Sequence, residues 1–299
     1  MTEWLISIEG TQTGAQVALV LALVAAILHA LFGALQKGRH DPWLSRAAID
    51  ACYGAIALPF ALFAVPWPEP HLWPILAGAV AIHAAYKALQ AMTYTRGAFT
   101  VVYPVVRGTG PFFTVIGATL VFSKTYLPLQ WAGLGLLMAG IFGLGFWNLR
   151  HLDVGRETLV PALALAVATG AFVALYTTYD AWAIRSTADP FTFLAWFFLL
   201  DGILLPVLLR GRLRGAWAAG DTGLLRRAIT GAFVAYFSFG SIMLATRLDK
   251  VGEAAVLRET STVFAALIGW LVLGEKVGKA RFGLMAMIAT GAVVMEWAG

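Results

Sequence analysis

Ten apolar segments, each about as long as a bilayer's hydrocarbon core is thick, determine what this chain can fold into. A helix of about 20 apolar residues crosses that core. Charged residues make up 12% of the sequence and hydrophobic residues 60%, whereas soluble domains carry about 25% charged residues. The sequence therefore predicts an all-α polytopic membrane protein with ten transmembrane helices. The segments occupy positions 16–36, 44–65, 73–94, 98–122, 128–147, 159–184, 190–209, 226–248, 252–273 and 281–298.

Two stretches in opposite halves of the chain resemble each other. Gly97–Lys124 and Gly252–Lys276 each begin with glycine and end on a short polar turn with lysine. Each also carries an arginine at membrane depth, Arg107 in the first and Arg258 in the second. Such internal duplication is typical of transporters built from repeats. We expect two five-helix repeats, residues 1–150 and 151–299, which lie in inverted orientation because five is an odd number.

The fourth segment combines helix-breaking residues with a buried cation. Pro104, Gly108, Gly110 and Pro111 fall around Arg107 in its middle. Proline removes a backbone donor, and a break at membrane depth is tolerated only against protein or a wet cavity. An arginine at that depth is costly unless it is paired, and it marks a functional position by default. The sequence thus predicts a broken helix at a binding site.

The third segment carries a single polar stripe. His83, Tyr86, Lys87, Gln90 and Tyr94 follow at spacings that place them on one helical face. Such a stripe must face the interior of the bundle or a water-filled cavity. A substrate-binding role is one interpretation. The alternatives are a structural ion pair of Lys87 with Asp201 or Glu259, and a core or proton-relay role for His83.

Other segments add aromatic and charged candidates. The sixth segment has an aromatic stripe that ends in an aspartate, and Arg258-Glu259 is also interpretable as a purely structural pair. The predicted substrate-binding residues are His83, Tyr86, Lys87, Gln90, Tyr103, Arg107, Tyr176, Tyr236, Arg258 and Glu259. The predicted hinge positions are Gly97, Gly108, Gly110, Pro111 and Gly252.

The distribution of basic residues predicts how the chain is oriented. Fourteen of the 21 lysines and arginines fall in loops on one side of the membrane, and four on the other. The basic side is expected to be cytoplasmic, which places both termini outside. The formal charge of +5 is therefore no sign of nucleic-acid binding. The one cysteine, Cys52, excludes an internal disulfide and a cysteine-rich metal site.

Motifs of enzymes are missing from the sequence. It has no HExxH, GxSxG or Walker loop and no cysteine-histidine metal spacing. We therefore expect no catalytic residues, no metal ligands and no cofactor.

The pattern resembles the drug/metabolite transporter superfamily of the EamA type. That family has a proline-containing fourth helix, matched by Tyr103-Pro104 and Pro111, and a Leu-Gly-Glu-Arg/Lys turn, matched by Leu273–Lys276. The first half departs from the turn with Phe122–Lys124, and the ninth segment has no proline. Within the superfamily the chain is similar to bacterial exporters of aromatic amino acids.

The resemblance implies a bacterial inner-membrane exporter of aromatic and other large neutral amino acids that works by alternating access. Lys87 or Arg107 would hold the substrate carboxylate, and Glu259 or a freed backbone carbonyl would hold the ammonium group. The expected partners are amino acids and the lipid bilayer, with a homodimer as an open alternative. A carrier of nucleotide-sugars or organic ions, or a non-transporting membrane enzyme or structural subunit, also stays open.

Overall fold

The structure is a computed structural model that describes residues 2–36, 41–96, 99–150, 156–264, 267 and 278–298. Within those ranges the regular elements are helices. Their bounds are α1 Thr2–Ser7, α2 Gln12–Gln36, α3 Pro42–Phe63, α4 Leu72–Arg96, α5 Phe99–Phe122, α6 Pro128–Arg150, α7 Arg156–Arg185, α8 Pro190–Asp201, α9 Leu204–Leu208, α10 Arg210–Ala218, α11 Thr222–Leu248, α12 Val251–Glu259 and α13 Lys279–Trp297.

The helical fold of a polytopic membrane protein is confirmed. Eight helical spans in the described ranges are long and apolar enough to cross a bilayer, namely α2 to α7, α8 continued by α9, and α11. The apolar part of α13, Phe282–Trp297, is shorter. The predicted ninth segment begins as α12, and most of its second half lies outside the described residues. The count of ten and the inverted repeat therefore stay predictions.

Aspartates at the helix starts explain where several helices begin. Asp41 and Asp221 accept hydrogen bonds from the amides of Leu44 and Leu224, three residues on, at 3.0 and 2.8 Å. Asp189 accepts one from the amide of Phe191 at 3.1 Å. These bonds satisfy amides that have no partner within a helix. The Asp-Pro pairs at α3 and α8 also use proline at the first helical position, where its missing N–H costs nothing.

The predicted break in the fourth segment is wrong. Helix α5 runs without interruption through Pro104 and Pro111. It packs along α6 and α7, and protein neighbours allow a helix to accommodate proline at membrane depth. The hydroxyl groups of Thr109 and Thr114 donate to the carbonyls of Val105 and Gly110, at 2.7 and 2.9 Å, and add local hydrogen bonds.

The interruptions occur in the other half of the chain. Helix α8 ends at Asp201, and Gly202 and Ile203 form a turn before α9 begins. Helix α12 ends at Glu259, followed by a turn at Thr260 and a resumption of helix at Ser261. Gly202 lets the first turn pack closely on α3, because a Cβ there would lie 2.7 Å from the Gly54 Cα. Both interruptions place a buried acidic residue, Asp201 or Glu259, at the end of a helix.

Glycines bring α6 and α13 into direct backbone contact. A Cβ on Gly291 would lie 2.6 Å from the carbonyl oxygen of Gly133, and one on Gly140 would lie 2.8 Å from that of Leu284. Small residues permit this close approach between membrane helices. Gly133, Gly140 and Gly291 pack within the bundle.

Candidate binding site

Lys87 sits at the centre of a buried charge cluster formed by α3, α4 and α8. Its ammonium group donates to Asp50 Oδ2 at 2.6 Å, to Asp201 Oδ2 at 2.7 Å and to the Tyr53 hydroxyl at 2.8 Å. The Tyr53 hydroxyl also donates to Asp201. Arg46 Nε lies 2.9 Å from Asp50 Oδ1. The cluster contains two cations and two carboxylates, so its charges balance. The three N–H groups of Lys87 all have acceptors in the protein, which leaves none for a further anion.

The pairing of Lys87 with Asp201 is the structural alternative that the sequence offered. Asp50, the second carboxylate, was not expected there. The end of α8 contributes as well, since the Asp201 carbonyl oxygen lies 3.3 Å from the Lys87 ammonium. Carbonyls at a helix C-terminus attract a cation.

A second cluster joins α5 to α12. Arg107 Nε lies 2.7 Å from Glu259 Oε2, and Arg107 Nη2 donates to the Ser261 hydroxyl at 2.8 Å. Arg258 Nη2 lies 3.7 Å from the other oxygen of Glu259. Tyr103 adds a ring contact to the Arg107 guanidinium, 5.8 Å from the ring centroid. Glu259 thus lies closer to Arg107 than to its chain neighbour, and the cluster carries one cation more than it has carboxylates.

His83 pairs with an aspartate on α7. Its Nε2 lies 2.7 Å from Asp180 Oδ2, and both side chains are buried. The imidazole is enclosed by the rings of Tyr176, Phe197 and Phe239, whose centroids lie 4.6, 4.7 and 6.3 Å away. An imidazole held by one carboxylate among aromatic rings is fixed in orientation.

A small cavity opens beside this pair, between α7, α11 and α12. Its volume of about 10 Å³ is room for about one water molecule. It is lined by Tyr176, Thr177, Asp180, Phe239, Ile242, Met243, Thr246 and Arg258. Three of these residues have buried polar atoms without a hydrogen-bond partner among the described residues, namely Thr177 Oγ1, Asp180 Oδ1 and Arg258 Nε.

The predicted tyrosines and the remaining stripe residues divide between two places. Tyr86 packs on Tyr176 with ring centroids 4.9 Å apart, and Gln90 donates to the Tyr86 hydroxyl at 2.6 Å. These residues lie next to the cavity lining. Tyr236 stacks on Phe198, 4.4 Å between centroids, on the side of the Lys87 cluster.

Three of the five hinge candidates, all of them glycines, are tightly packed positions. A Cβ on Gly108 would lie 3.1 Å from the Phe142 ring, and one on Gly110 would lie 3.2 Å from Val173. A Cβ on Gly252 would lie 2.2 Å from the Tyr126 hydroxyl oxygen. Pro111 lies within the continuous α5 helix, and Gly97 lies outside the described residues. The hinge role of all five stays a prediction.

Asp180 and Thr177 are cavity residues that the sequence did not single out for the site. Asp180 ends the aromatic stripe of the sixth segment, four positions after Tyr176, and that spacing was a usable signal. Thr177 left no such signal. In the described part of the chain no group of three or more His, Cys, Asp or Glu residues is placed to hold a metal ion.

Comparison with known proteins supports the membrane-transporter fold. Residues 160–297 match the EamA-like transporter family. The match covers 138 of the 299 residues, just under half of the chain, and we call this stretch the EamA-like domain. All eight residues that line the cavity lie within this EamA-like domain. Together with the apolar helices, this similarity supports a multi-pass membrane protein.

The whole-chain fold also has solved counterparts. One, described only as the crystal structure of a protein, superposes with a TM-score of 0.74 at 17% identity and covers 95% of this chain and 96% of its own. At that identity the likeness concerns the fold alone. No curated protein matches the sequence significantly, and the similarity to exporters of aromatic amino acids stays a prediction.

Proposed function

We propose that this protein exports aromatic and other large neutral amino acids across the bacterial inner membrane by alternating access. One observation carries the proposal, which is that Asp180 and Arg258 present opposite charges to one small cavity in the EamA-like domain. Both residues are buried, at 3% exposure each. An amino acid is a zwitterion, and it needs one group of each sign at short range.

Unsatisfied polar atoms in the cavity support a polar ligand there. A buried polar atom without a partner costs about 1–3 kcal/mol. Asp180 uses one carboxylate oxygen for His83 and leaves Oδ1 unpaired, while Arg258 leaves Nε unpaired. We infer that Asp180 Oδ1 accepts the substrate ammonium group and that Arg258 binds the carboxylate, for which the guanidinium fork is well suited. Thr177 would supply a further hydrogen bond.

This assignment replaces the earlier candidates for the carboxylate. Lys87 and Arg107 already lie within 2.7 Å of protein carboxylates. Arg258 is the extra cation of the Glu259 cluster, and its nearest carboxylate oxygen is 3.7 Å away. It can therefore bind a substrate carboxylate without leaving a buried protein carboxylate unpaired.

The walls of the cavity favour a large apolar side chain. Tyr176 and Phe239 offer ring faces, and Ile242 and Met243 offer flexible aliphatic surface. Aromatic rings pack well against one another, and methionine adapts to different shapes. Such a lining suits aromatic and large neutral amino acids without strict selection among them.

The cavity is too small for an amino acid in this conformation, and the movement of alternating access would enlarge it. A space for about one water molecule cannot hold an amino acid. Substrate binding therefore requires α7 to move away from α11 and α12. The turn at Thr260, directly after α12, interrupts the helical hydrogen bonds that would otherwise resist such a movement.

Two residue pairs support the proposed inverted repeat. Asp50 and Asp201 lie 151 positions apart, and both bind Lys87. Arg107 and Arg258 also lie 151 positions apart, and both face Glu259. The last helices of the two halves, α6 and α13, pack against each other. Equivalent positions that converge on one partner are what a pseudo-two-fold axis in the membrane plane produces.

Uptake into proteoliposomes tests the proposal. Purified protein is assayed with labelled phenylalanine, tryptophan and leucine, and competition is measured with phenylalanine amide and phenylpropionate. We expect saturable uptake that is inhibited best by the intact amino acid, because each analogue lacks one charged group. Folded protein that transports no amino acid, but carries nucleotide-sugars or organic ions, would refute the assignment.

A further inference from the structure

Helix α10 presents an exposed cluster of arginines at the end of the bundle where α8–α9 ends. Arg210, Arg212 and Arg214 lie on this short helix, and Arg226 follows in the first turns of α11. All four side chains are exposed. In the described residues neither Arg210 nor Arg214 forms an ion pair, whereas Arg212 lies 3.3 Å from Asp41. The surface has an excess of positive charge that the described residues do not neutralise.

Arg212 differs from the other arginines of this surface because it is paired with Asp41. Burial raises the pKa of the Asp41 carboxyl, but the Leu44 amide and the Arg212 guanidinium together hold it below its usual value. Asp41 therefore stays ionised and keeps Arg212 occupied. Arg210 and Arg214, one helical turn apart, are the cations available to an external anion.

The opposite face of α10 is fixed to the bundle. Leu213 is buried in a cluster with Ala47 and Ala48 of α3, Leu205 of α9, and Leu224 and Ala228 of α11. The helix thus lies across the ends of three membrane-spanning helices. Its position is set by packing, and the arginines project from a rigid element.

Apolar side chains next to α10 indicate the depth of the bilayer. Val207 and Leu208, just before it, are 53% and 67% exposed, and Trp217 on α10 itself is 47% exposed. Leu225 and Ile229 on α11 are exposed as well. Exposed apolar residues that end at a tryptophan are typical of the boundary between hydrocarbon and head groups. The arginines accordingly lie at the level of the head groups.

We propose that this surface, formed by Arg210, Arg214, Arg226 and Trp217, binds the head groups of anionic phospholipids in the adjacent leaflet. The charge of the surface is complementary to a phosphate, and arginine forms paired hydrogen bonds to it. Its depth matches a lipid phosphate rather than a soluble anion. Each arginine near an anionic membrane contributes about tenfold or less to the affinity. The proposal is independent of which substrate is transported.

Lipid titration followed by native mass spectrometry tests this. Full-length protein in neutral detergent is titrated with phosphatidylglycerol or phosphatidylcholine, and bound lipids are counted. The test variant is Arg210→Gln/Arg214→Gln. The control is Arg96→Gln/Arg150→Gln, which removes two exposed arginines from the same end of the bundle, because α4 and α6 run in the same direction as α8. Thermal melting verifies that both variants are folded.

We expect the wild type to bind phosphatidylglycerol more tightly than phosphatidylcholine. The α10 variant should lose roughly ten- to thirty-fold in affinity for phosphatidylglycerol, while the control keeps most of it. Equal weakening in both variants would refute the proposal, since any arginine at this end would then serve. Equal binding of the two lipids would refute it as well, and competition by an acidic peptide or RNA would point to another partner.

Discussion

Asp50 and Asp201, 151 positions apart in the sequence, bind the same ammonium group of Lys87 at 2.6 and 2.7 Å. They belong to α3 and α8, which cross where Gly54 meets Gly202. The contact joins the two halves of the chain, and both carboxylates are at most 4% exposed. Lys87 therefore links the two halves, and its predicted role in substrate binding stays a prediction.

Removing the Lys87 charge should destabilise the protein strongly. Lys87→Met leaves two buried carboxylates with a single arginine, and a broken buried ion pair costs roughly 3–5 kcal/mol. We expect a lower unfolding midpoint in detergent for Lys87→Met, and partial recovery in Lys87→Met/Asp201→Asn. Lys124→Met, which changes an exposed lysine, is the control. If Lys87→Met kept its stability but lost amino-acid uptake, the result would indicate that Lys87 binds the substrate.

Asp180 and Arg258 should affect transport through different parts of the substrate. Asp180→Asn keeps a hydrogen-bond partner for His83 but loses the charge for an ammonium group. We expect uptake of phenylalanine to fall roughly ten- to a hundred-fold, because a hydrogen bond to a charged group contributes about 1.5–3 kcal/mol. Initial rates in proteoliposomes measure this. Glu69→Gln, an exposed loop residue, should transport like the wild type.

The analogues then separate the two roles. In Arg258→Gln, phenylalanine and phenylalanine amide should compete equally, because the group that distinguishes them is gone. In Asp180→Asn, the advantage of phenylalanine over phenylpropionate should disappear instead. If both variants lost uptake but kept the wild-type order of inhibitors, neither residue would contact the substrate.

Much of this architecture was predictable because membrane helices follow from hydropathy alone. The positions of α2 to α7 and α11 agree with the apolar segments, and Lys87, Arg107 and Arg258 are buried as predicted. Their partners were not predictable in full. An aspartate such as Asp50 has no periodic pattern that identifies the helix it will face, and only tertiary packing decides it.

The helix break was predicted in the wrong half for a physical reason. Pro104 and Pro111 remove backbone donors, but α6 and α7 enclose α5 and keep it helical. The turn at Thr260 has neither proline nor glycine. The turn follows Arg258 and Glu259, whose side chains contact different partners. Local helix propensity therefore does not predict a turn at this position. Propensity is a weak prior that packing can override in either direction.

The backbone contact between α6 and α13 predicts an asymmetric response to alanine. A Cβ on Gly291 would lie 2.5 Å from the Leu137 amide nitrogen, whereas one on Gly283 would meet nothing within 4 Å. We expect Gly291→Ala to destabilise by roughly 1–3 kcal/mol, as overpacking does. Gly283→Ala on the same helix should be neutral or stabilising, since alanine favours helix over glycine. Thermal unfolding of both variants measures the difference, and equal midpoints would contradict the close packing.

The N-terminal segment should control access to the cavity from its own end of the bundle. Glu9 forms an ion pair with Arg247 at the end of α11. Arg247 also donates to the carbonyls of Ile184 and Thr187, at 2.6 and 3.0 Å, and Leu5 and Ile8 are buried against the same region. The segment thus ties the turn after α7 to the end of α11, beside the helices that line the cavity.

Weakening this tie should expose the cavity more often. In a background without Cys52, a cysteine at Thr246, which lines the cavity, is labelled with a membrane-impermeant maleimide. Adding Glu9→Gln should raise the labelling rate up to roughly tenfold, because the lost charged hydrogen bond favours the open state. Glu3→Gln, an exposed residue of the same segment, should leave the rate unchanged. Identical rates in Glu9→Gln and Glu3→Gln would mean that the segment anchors the fold without gating the cavity.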